Sequence, residues 1–389
     1  PSEIEAPVEL GAEFVHGRPP ELLQLFHDAQ APLQKITGVN ACFDHGELRA
    51  CPEDEAFELL DELAGVARRE GDMSFADFLA RRRPSADIAE RARSFVEGFN
   101  AADARRIGIA ALARQQQAEE EEIDGDQSSR STGGYDLVAK YLAQRAEQQG
   151  ARILLRSAVT ALEWKPGAVT VSARTPTSTL PAQTGSGEQA TYVAPKAILT
   201  LPLGVLKAHS VRFDPAPSRI LAAADRMEAG SVRRLVLTFR TPFWNAKMPG
   251  ISFLFTSGMT RTAFWTRHPG DAPMLVAWAG GPRADAVPSP DQFLNQALRS
   301  LERIFSLAQQ SLDAELRNWH MHDWQSDPWT LGAYSYAPAG AAHCSAIMAE
   351  PVNNTLFFAG EHTDVTGHWG TVHGALRSGL RAAQQVLHH

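Results

Sequence analysis

Between Pro20 and about Ala118 the apolar positions recur at three and four spacing: Leu22, Leu23, Leu25 and Phe26, then Phe57, Leu59, Leu60 and Leu63, then Phe75, Phe78 and Leu79. That period predicts a block of amphipathic helices. Asp72 and Ser74 precede the Phe75 run as N-cap candidates, and Pro84 interrupts the basic triplet of Arg81, Arg82 and Arg83. EEEEIDGDQSSRSTGG at 119–134 breaks the pattern and reads as a connection whose charges face water. Leu137, Val138, Tyr141 and Leu142 then predict one further helix that ends near Gly150.

Beyond Gly150 the period shifts to two. ARILLRSAVTALEW and AVTVSAR alternate and read as strands, whereas RTPTSTLPAQTGSGEQA at 174–190 reads as a low-complexity loop or hairpin tip. TYVAPKAILTLPLGVL predicts a strand running into a Pro/Gly turn. VRRLVLTF at 232–239 and MLVAWAGG at 274–281 predict two more strands, and residues 291–309 another amphipathic helix. The chain closes as strand, loop and helix: NTLFFAG, EHTDVTGHWG, then TVHGALRSGLRAAQQVL. Strands and helices interleave over 389 residues without an internal repeat, which at roughly 150 residues per domain suits two or three domains.

Composition narrows the chemistry. Lys and Arg total 37 against 45 Asp and Glu, a net charge of −8 that disfavours nucleic acid or an anionic membrane as partner. Three cysteines at unrelated spacings, Cys42, Cys51 and Cys344, predict neither a disulfide framework nor a zinc site, and suit a reducing compartment. No run of about 18 apolar residues occurs, and PSEIEAPVELGAEF lacks the basic start and apolar stretch of a secretory signal, so a cytoplasmic location is expected. Of the 13 histidines, His320 and His322 lie beside Asp323 but lack a third ligand at a recognisable distance, so no metal is expected. His388 and His389 read as a frayed end or a tag remnant.

One G-x-G-x-x-A match occurs, Gly185 to Ala190, but a Pro/Thr/Ser loop precedes it and a strand follows, so it reads as a loop. GxxxxGK[ST], HExxH and GxSxG patterns do not occur. The most informative segment is LFFAGEHTDVTGHWGTVHGAL at 356–376. There an apolar strand ends at Ala359 and Gly360, the carboxylate of Glu361 follows, and a Gly-rich turn opens a helix near Thr371. A carboxylate accepts from sugar hydroxyls and a helix N-terminus favours negative charge, so the segment suits a sugar-bearing, anionic ligand. A tight strand-to-helix packing joint is the competing reading.

LFFAGEHT followed by TVHGALRSGLRAA resembles the C-terminal flavin signature of the FAD-dependent amine oxidases, the family of monoamine and polyamine oxidases and flavin histone demethylases. Four more segments agree in order: LGAEFVHG at 10–17, STGGYDLVAKYLA at 131–143, TLPLGVLKAHSVRFDPAPS at 200–218 and WQSDPWTLGAYSYAPAG at 324–340. The resemblance implies an α/β plus α+β fold of two interleaved domains: a Rossmann-like FAD domain from 1–17, 128–206 and 340–389, and a mixed-sheet substrate domain from 18–127 and 207–339. It also implies an amine substrate, O2 as electron acceptor, and FAD.

By the same resemblance Glu361 hydrogen-bonds the FAD ribityl chain after Gly360, and the N–H groups of Thr371 and Val372 approach the flavin pyrimidine. Val159 meets the adenine; Gly11, Ala12, Glu13 and Phe14 pass the isoalloxazine; Leu201 and Pro202 are weaker contacts. Tyr334 is one wall of a cage that steers the amine and Thr371 the opposite wall. Trp324 and Trp329 match tryptophans near the flavin, with core packing as an equal reading, and His16 matches a histidine whose charge senses the amine, or is a satisfied loop residue. Two departures stand out. Arg234 occupies the place of the family's lysine that holds a water against flavin N5; arginine stays charged and accepts no proton, which puts O2 reactivity in question. The βαβ unit with G-x-G-x-x-G that the family carries ahead of its LGA segment has no counterpart here, leaving three readings: truncation, a separate chain or an oligomer that supplies it, or loss of flavin. A flavin-free binding subunit and a desaturase or protoporphyrinogen-oxidase-like enzyme are the rival functions.

Overall fold

The computed structural model describes residues 6–51, 55–175, 189–256, 262–287 and 289–388. Its largest sheet has seven strands in the order Leu316–Met321, Val232–Phe239, Met274–Gly280, Ala263–Thr266, Ile251–Thr256, Val39–Asp44 and Glu47–Ala50. Neighbours are antiparallel except Ile251–Thr256 and Val39–Asp44, which run parallel. Alternation along VRRLVLTF sends Leu235, Leu237 and Phe239 to one face, where they pack with Phe264, Phe293 and Leu301 beneath the helix Pro290–Phe305. Each such aromatic or aliphatic side chain contributes about 1.5–3 kcal/mol by leaving water. Arg234 and Val236 face the other side, toward Trp265 and Phe14.

A four-stranded sheet joins Arg212–Asp214, Ala158–Lys165, Ala168–Arg174 and Gln189–Ala194; a three-stranded one joins Phe14–His16, Ser128–Ser131 and Leu33–Lys35. Leu356–Phe358 and Ala197–Leu199 form a two-stranded parallel sheet, and Glu228–Ala229 pairs with Ser335–Tyr336. Two of these pairings cross the expected domain boundaries: Leu33–Lys35 joins Ser128–Ser131, and Arg212–Asp214 joins Ala158–Lys165.

Local chemistry accounts for the helix ends. Ser74 caps Phe75–Arg82 by accepting from the Asp77 N–H at 3.1 Å, while Asp72 accepts from the Ala110 N–H at 3.0 Å at the start of Ile109–Ile123. The helix Asp136–Gln148 stops at a Gly150 with φ of 90°.

Four expectations are corrected. The block from 20 to 118 is not wholly helical: Leu33–Lys35, Val39–Asp44 and Glu47–Ala50 are strands, because Val39, Ala41 and Phe43 alternate inward at period two. The stretch 119–134 is no water-facing connection. Its first residues finish the helix Ile109–Ile123, its serines form the central strand of the three-stranded sheet, and Arg130 is buried. Burial pushes Glu119 up to about 7. Residues 151–157 are not part of the predicted strand, which begins at Ala158. Cys42 and Cys51 are disulfide-bonded, because the hairpin Val39–Ala50 sets Cys51 against Asn40, a contact that a spacing of nine residues does not announce. The cysteine argument for a reducing compartment falls with it. The loop expected at 174–190 lies largely outside the described residues, as does most of the G-x-G-x-x-A match. Among the described residues no helix is long and apolar enough to cross a membrane.

Candidate active site

Glu13 is the hub of one wall. It sits just ahead of the strand Phe14–His16, with its side chain buried against the face of the large sheet that carries Arg234. Arg234 pairs with its Oε2, Arg130 Nε lies 2.9 Å from Oε1, Arg267 donates to Oε1 at 3.2 Å, and Trp265 Nε1 donates to Oε2 at 2.9 Å. Burial alone would raise this carboxyl, but the guanidiniums, Arg234 foremost, outweigh it and hold Glu13 below the usual carboxylate range. Arg234 also donates to the Gly11 carbonyl at 3.2 Å and lies 5.4 Å above the Trp265 ring. Trp324 closes the same wall: its Nε1 donates to the Leu10 carbonyl at 2.9 Å, and its ring lies beside Gly11. Gly11 and Ala12 themselves are exposed, so their backbone is open to a ligand.

Glu361 is the hub of the other wall. It follows the strand Leu356–Phe358 and accepts from the Ser335 N–H at 3.0 Å, the Ser335 hydroxyl at 2.7 Å and the Gly370 N–H at 2.7 Å. All three donors are neutral, so burial dominates and its carboxyl is held above the usual range. A carboxylate has about four acceptor positions, so one remains for an outside hydroxyl. Tyr334 lies against Gly370, where a Cβ would stand 2.9 Å from the ring, and its hydroxyl donates to the Phe99 carbonyl at 2.6 Å. The Gly370 φ of 73° is a second reason for glycine there.

The helix Val372–His388 begins at this turn. Thr371 Oγ1 donates to the His368 carbonyl at 2.7 Å and accepts from the Gly374 N–H at 3.0 Å. A Cβ on Gly374 would stand 2.1 Å from the His368 carbonyl oxygen, so only glycine permits this approach. The remaining first-turn N–H groups have no intrahelical acceptor and point out of the helix end, a setting that favours an anionic or carbonyl-bearing ligand edge. His16 completes the rim, its ring 5.5 Å from that of Phe99. Burial pushes His16 down to about 4, so at neutral pH it offers a hydrogen bond rather than the charge expected of it.

The fold therefore gathers Gly11, Glu13, Arg234 and Trp324 on one wall and Tyr334, Glu361 and Thr371 on the other, with His16 and Tyr334 both resting on Phe99. Thr371 neighbours Tyr334 through Gly370. Phe14 packs on Trp265, and Val372 packs inward with Val15 and Leu22. Val159 and Leu201 lie at the margin of a separate core cluster around Leu199 and Phe358, Pro202 caps the buried turn Leu203–Lys207, and Trp329 is 56% exposed. Gly360 donates its N–H to Ser378. Arg130, Arg267, Trp265 and Phe99 were not foreseen. Arg130 and Arg267 could have been: each is a lone charge in an otherwise uncharged run, SSRS and AFWTRH, which demands a partner once buried. His322 pairs with Asp327 at 2.8 Å and Asp323 with Arg233 at 2.6 Å, and among the described residues no three such groups are arranged to hold a metal.

A family model described as flavin containing amine oxidoreductase matches residues 2–387. The chain is 28% identical over 364 residues to Lysine-specific histone demethylase 1 homolog 2 of Arabidopsis thaliana, a match covering 92% of this chain and 44% of that protein. It is 29% identical over 419 residues to Polyamine oxidase 4 of Oryza sativa subsp. japonica, covering 97% of this chain and 78% of the relative. The chain thus spans less than half the length of the demethylase relative. Among solved structures, wild-type putrescine oxidase bound to putrescine superposes with a TM-score of 0.79 at 21% identity, over 98% of this chain and 88% of that one. Cyclohexylamine oxidase from Brevibacterium oxydans IH-35A gives 0.80 at 19%, over 99% and 89%. The mixed α/β architecture is therefore that of these oxidases.

Proposed function

Since the chain belongs to the flavin-containing amine oxidoreductase family, whose cofactor is FAD, we propose that it oxidises a primary or secondary amine to an imine, which water hydrolyses to an aldehyde. FAD, when bound, would supply the acceptor for a hydride from the carbon beside nitrogen and the route by which O2 becomes H2O2. The observation that carries this reading is the open acceptor position of Glu361 beside a helix end with free N–H groups. Glu361 would hold a ribityl hydroxyl. Thr371 and Val372 would donate to the ring edge, and the backbone of Gly11 and Ala12 would lie along its face.

The chain's own side chains then bind and orient the amine. Tyr334 presents a ring face, which positions a neutral amine without the desolvation cost of a second carboxylate. His16, uncharged, accepts or donates a hydrogen bond at the rim. Arg234 fixes Glu13 and the Gly11 carbonyl and takes up no proton. Trp324 braces Leu10. The relatives and structural neighbours whose names specify polyamine, putrescine or cyclohexylamine support an amine substrate.

The same reading holds that a βαβ unit outside the described residues completes the dinucleotide site, and that the FAD-side segments flank the parallel sheet of Ala197–Leu199 and Leu356–Phe358. Parallel strands are ordinarily covered on both faces, yet Ile198 is 43% exposed and Leu380, on the helix beside this sheet, 57%. An apolar face of that kind suits a further strand and helix.

The test is the absorption spectrum of the purified protein together with H2O2 release from an amine panel. Yellow protein releasing H2O2 is expected. A colourless protein that FAD does not stabilise thermally favours the flavin-free binding subunit, because a ligand at 100 times its Kd stabilises by about 2.7 kcal/mol. Yellow protein without amine turnover favours the desaturase-like alternative.

A further inference from the structure

Behind the helix end lies a second group of titratable side chains that no step above uses. His368 is 0% exposed, and its Nε2 lies 3.1 Å from Oε2 of Glu122, a side chain 45% exposed at the surface. The ring of His373 stands 4.7 Å from that of His368 at an interplanar angle of 69°, and His373 is 2% exposed. Nδ1 of His368 and Nε2 of His373 are both buried without a hydrogen-bond partner. Buried polar atoms are nearly always paired, and two unpaired nitrogens on touching rings are two costs at one spot. Among the described residues no set of three such groups is arranged for a metal.

We propose that Glu122, His368 and His373 form a proton path between the protein surface and the helix start at the candidate site. The inference rests on the amine-oxidising reading above. An amine arrives largely as its ammonium ion and must shed an N–H proton before the neighbouring C–H can leave as hydride; forming H2O2 from O2 later takes up protons. A neutral imidazole serves both directions, accepting a proton at one nitrogen while releasing one from the other, so no charge accumulates. The proton shed by the ammonium reaches His373, passes to the adjoining ring of His368 and on to Glu122, which exchanges with solvent. The return path is the same sequence reversed, and each imidazole ends with the protons it began with.

The surroundings keep His373 neutral. Burial foremost, with the charge of Arg377 adding to it, pushes His373 down to about 3. The charges facing the path come from three helices: Glu122 from Ile109–Ile123, Arg377 from Val372–His388, and Glu21 from Pro20–Asp28. Arg377 bonds both Glu122, at 2.8 Å, and Glu21. Arg377 thereby anchors the surface carboxylate under His368. The first-turn position of His373 in its helix opposes a positive ring as well.

The test uses the full FAD-loaded chain. His368→Ala is expected to lower kcat on the order of tenfold to a hundredfold, with added imidazole restoring turnover in proportion to its basicity. Glu122→Gln, at the surface, is the variant that keeps the fold; it is expected to slow turnover several-fold and to change the pH profile. A readout independent of turnover is the solvent exchange of the His373 imidazole N–H, followed by NMR, which is expected to slow about tenfold in Glu122→Gln. Wild-type turnover in His368→Ala, or a loss that imidazole does not restore, overturns the path, and so does an unchanged exchange rate and pH profile in Glu122→Gln. A wild-type chain that oxidises no amine defeats the amine reading instead, and the exchange measurement then decides the path on its own.

Discussion

Two glutamates of the candidate site, Glu13 and Glu361, are treated in opposite ways. Glu13 is ringed by three guanidiniums and an indole N–H, whereas Glu361 meets only neutral donors from Ser335 and Gly370. Burial pushes both carboxyls upward. In Glu13 the arginines reverse that push; in Glu361 nothing does. The contrast separates a carboxylate whose acceptor positions are filled by three guanidiniums and an indole N–H from one with three neutral donors and an acceptor position left over. It also assigns opposite pH behaviour. Glu13 titrates below its unfolded value, so its stabilisation is full above that value and is lost as pH falls through the folded one. Glu361 titrates above its unfolded value, so its stabilisation is full below the ordinary glutamate range and is lost as pH rises through the folded value.

The largest expected effect follows from breaking the charged hub. Glu13→Gln leaves three buried guanidiniums without their carboxylate, at a cost of about 3–5 kcal/mol in urea unfolding, and it removes the acid-side loss of stability. A cost under about 1 kcal/mol would show that the arginines find other partners. Glu361→Gln presents an amide to three donors and is expected to cost about 1–3 kcal/mol, to abolish the alkaline-side slope, and to weaken FAD binding, read by fluorescence titration. If FAD affinity is unchanged, the open acceptor position does not face the cofactor. Arg234→Lys replaces a fork that reaches both Glu13 and Gly11 by a point charge, for about 1–2 kcal/mol. The same variant is expected to raise the stopped-flow rate of flavin reoxidation by O2; an unchanged rate removes Arg234 from the account of oxygen reactivity. Tyr334→Phe, the smallest change, loses the bond to the Phe99 carbonyl, about 0.5–1.5 kcal/mol, and is expected to raise KM more than it lowers kcat.

Strong periods were legible in the chain. VRRLVLTF alternates and is a strand; the Pro290–Phe305 helix carries Phe293, Leu298 and Leu301 on one face and is a helix. The short strands Leu33–Lys35 and Val39–Asp44 were hidden because three to six residues cannot outvote the helical pattern on either side. Ser128–Ser131 has no apolar residue at all, and only the ion pair from Arg130 to Glu13 explains why a polar strand sits at the centre of a sheet. Of the site, Glu361 and Thr371 were legible because acid, glycine and helix start are contiguous. The three-arginine hub was not, since Glu13, Arg130, Arg234 and Arg267 meet only through sheet pairing across most of the chain. The Cys42–Cys51 bond was hidden for the same reason: a hairpin register, not a spacing, brings those two together.

The candidate site is proposed to hold FAD against an amine. Anaerobic mixing of the FAD-loaded protein with each member of an amine panel, followed at the flavin absorption band, tests it most directly. Bleaching of the band by at least one amine, and recovery of the colour when O2 is admitted, are expected. A protein that carries FAD and keeps its full absorbance with every amine would contradict it.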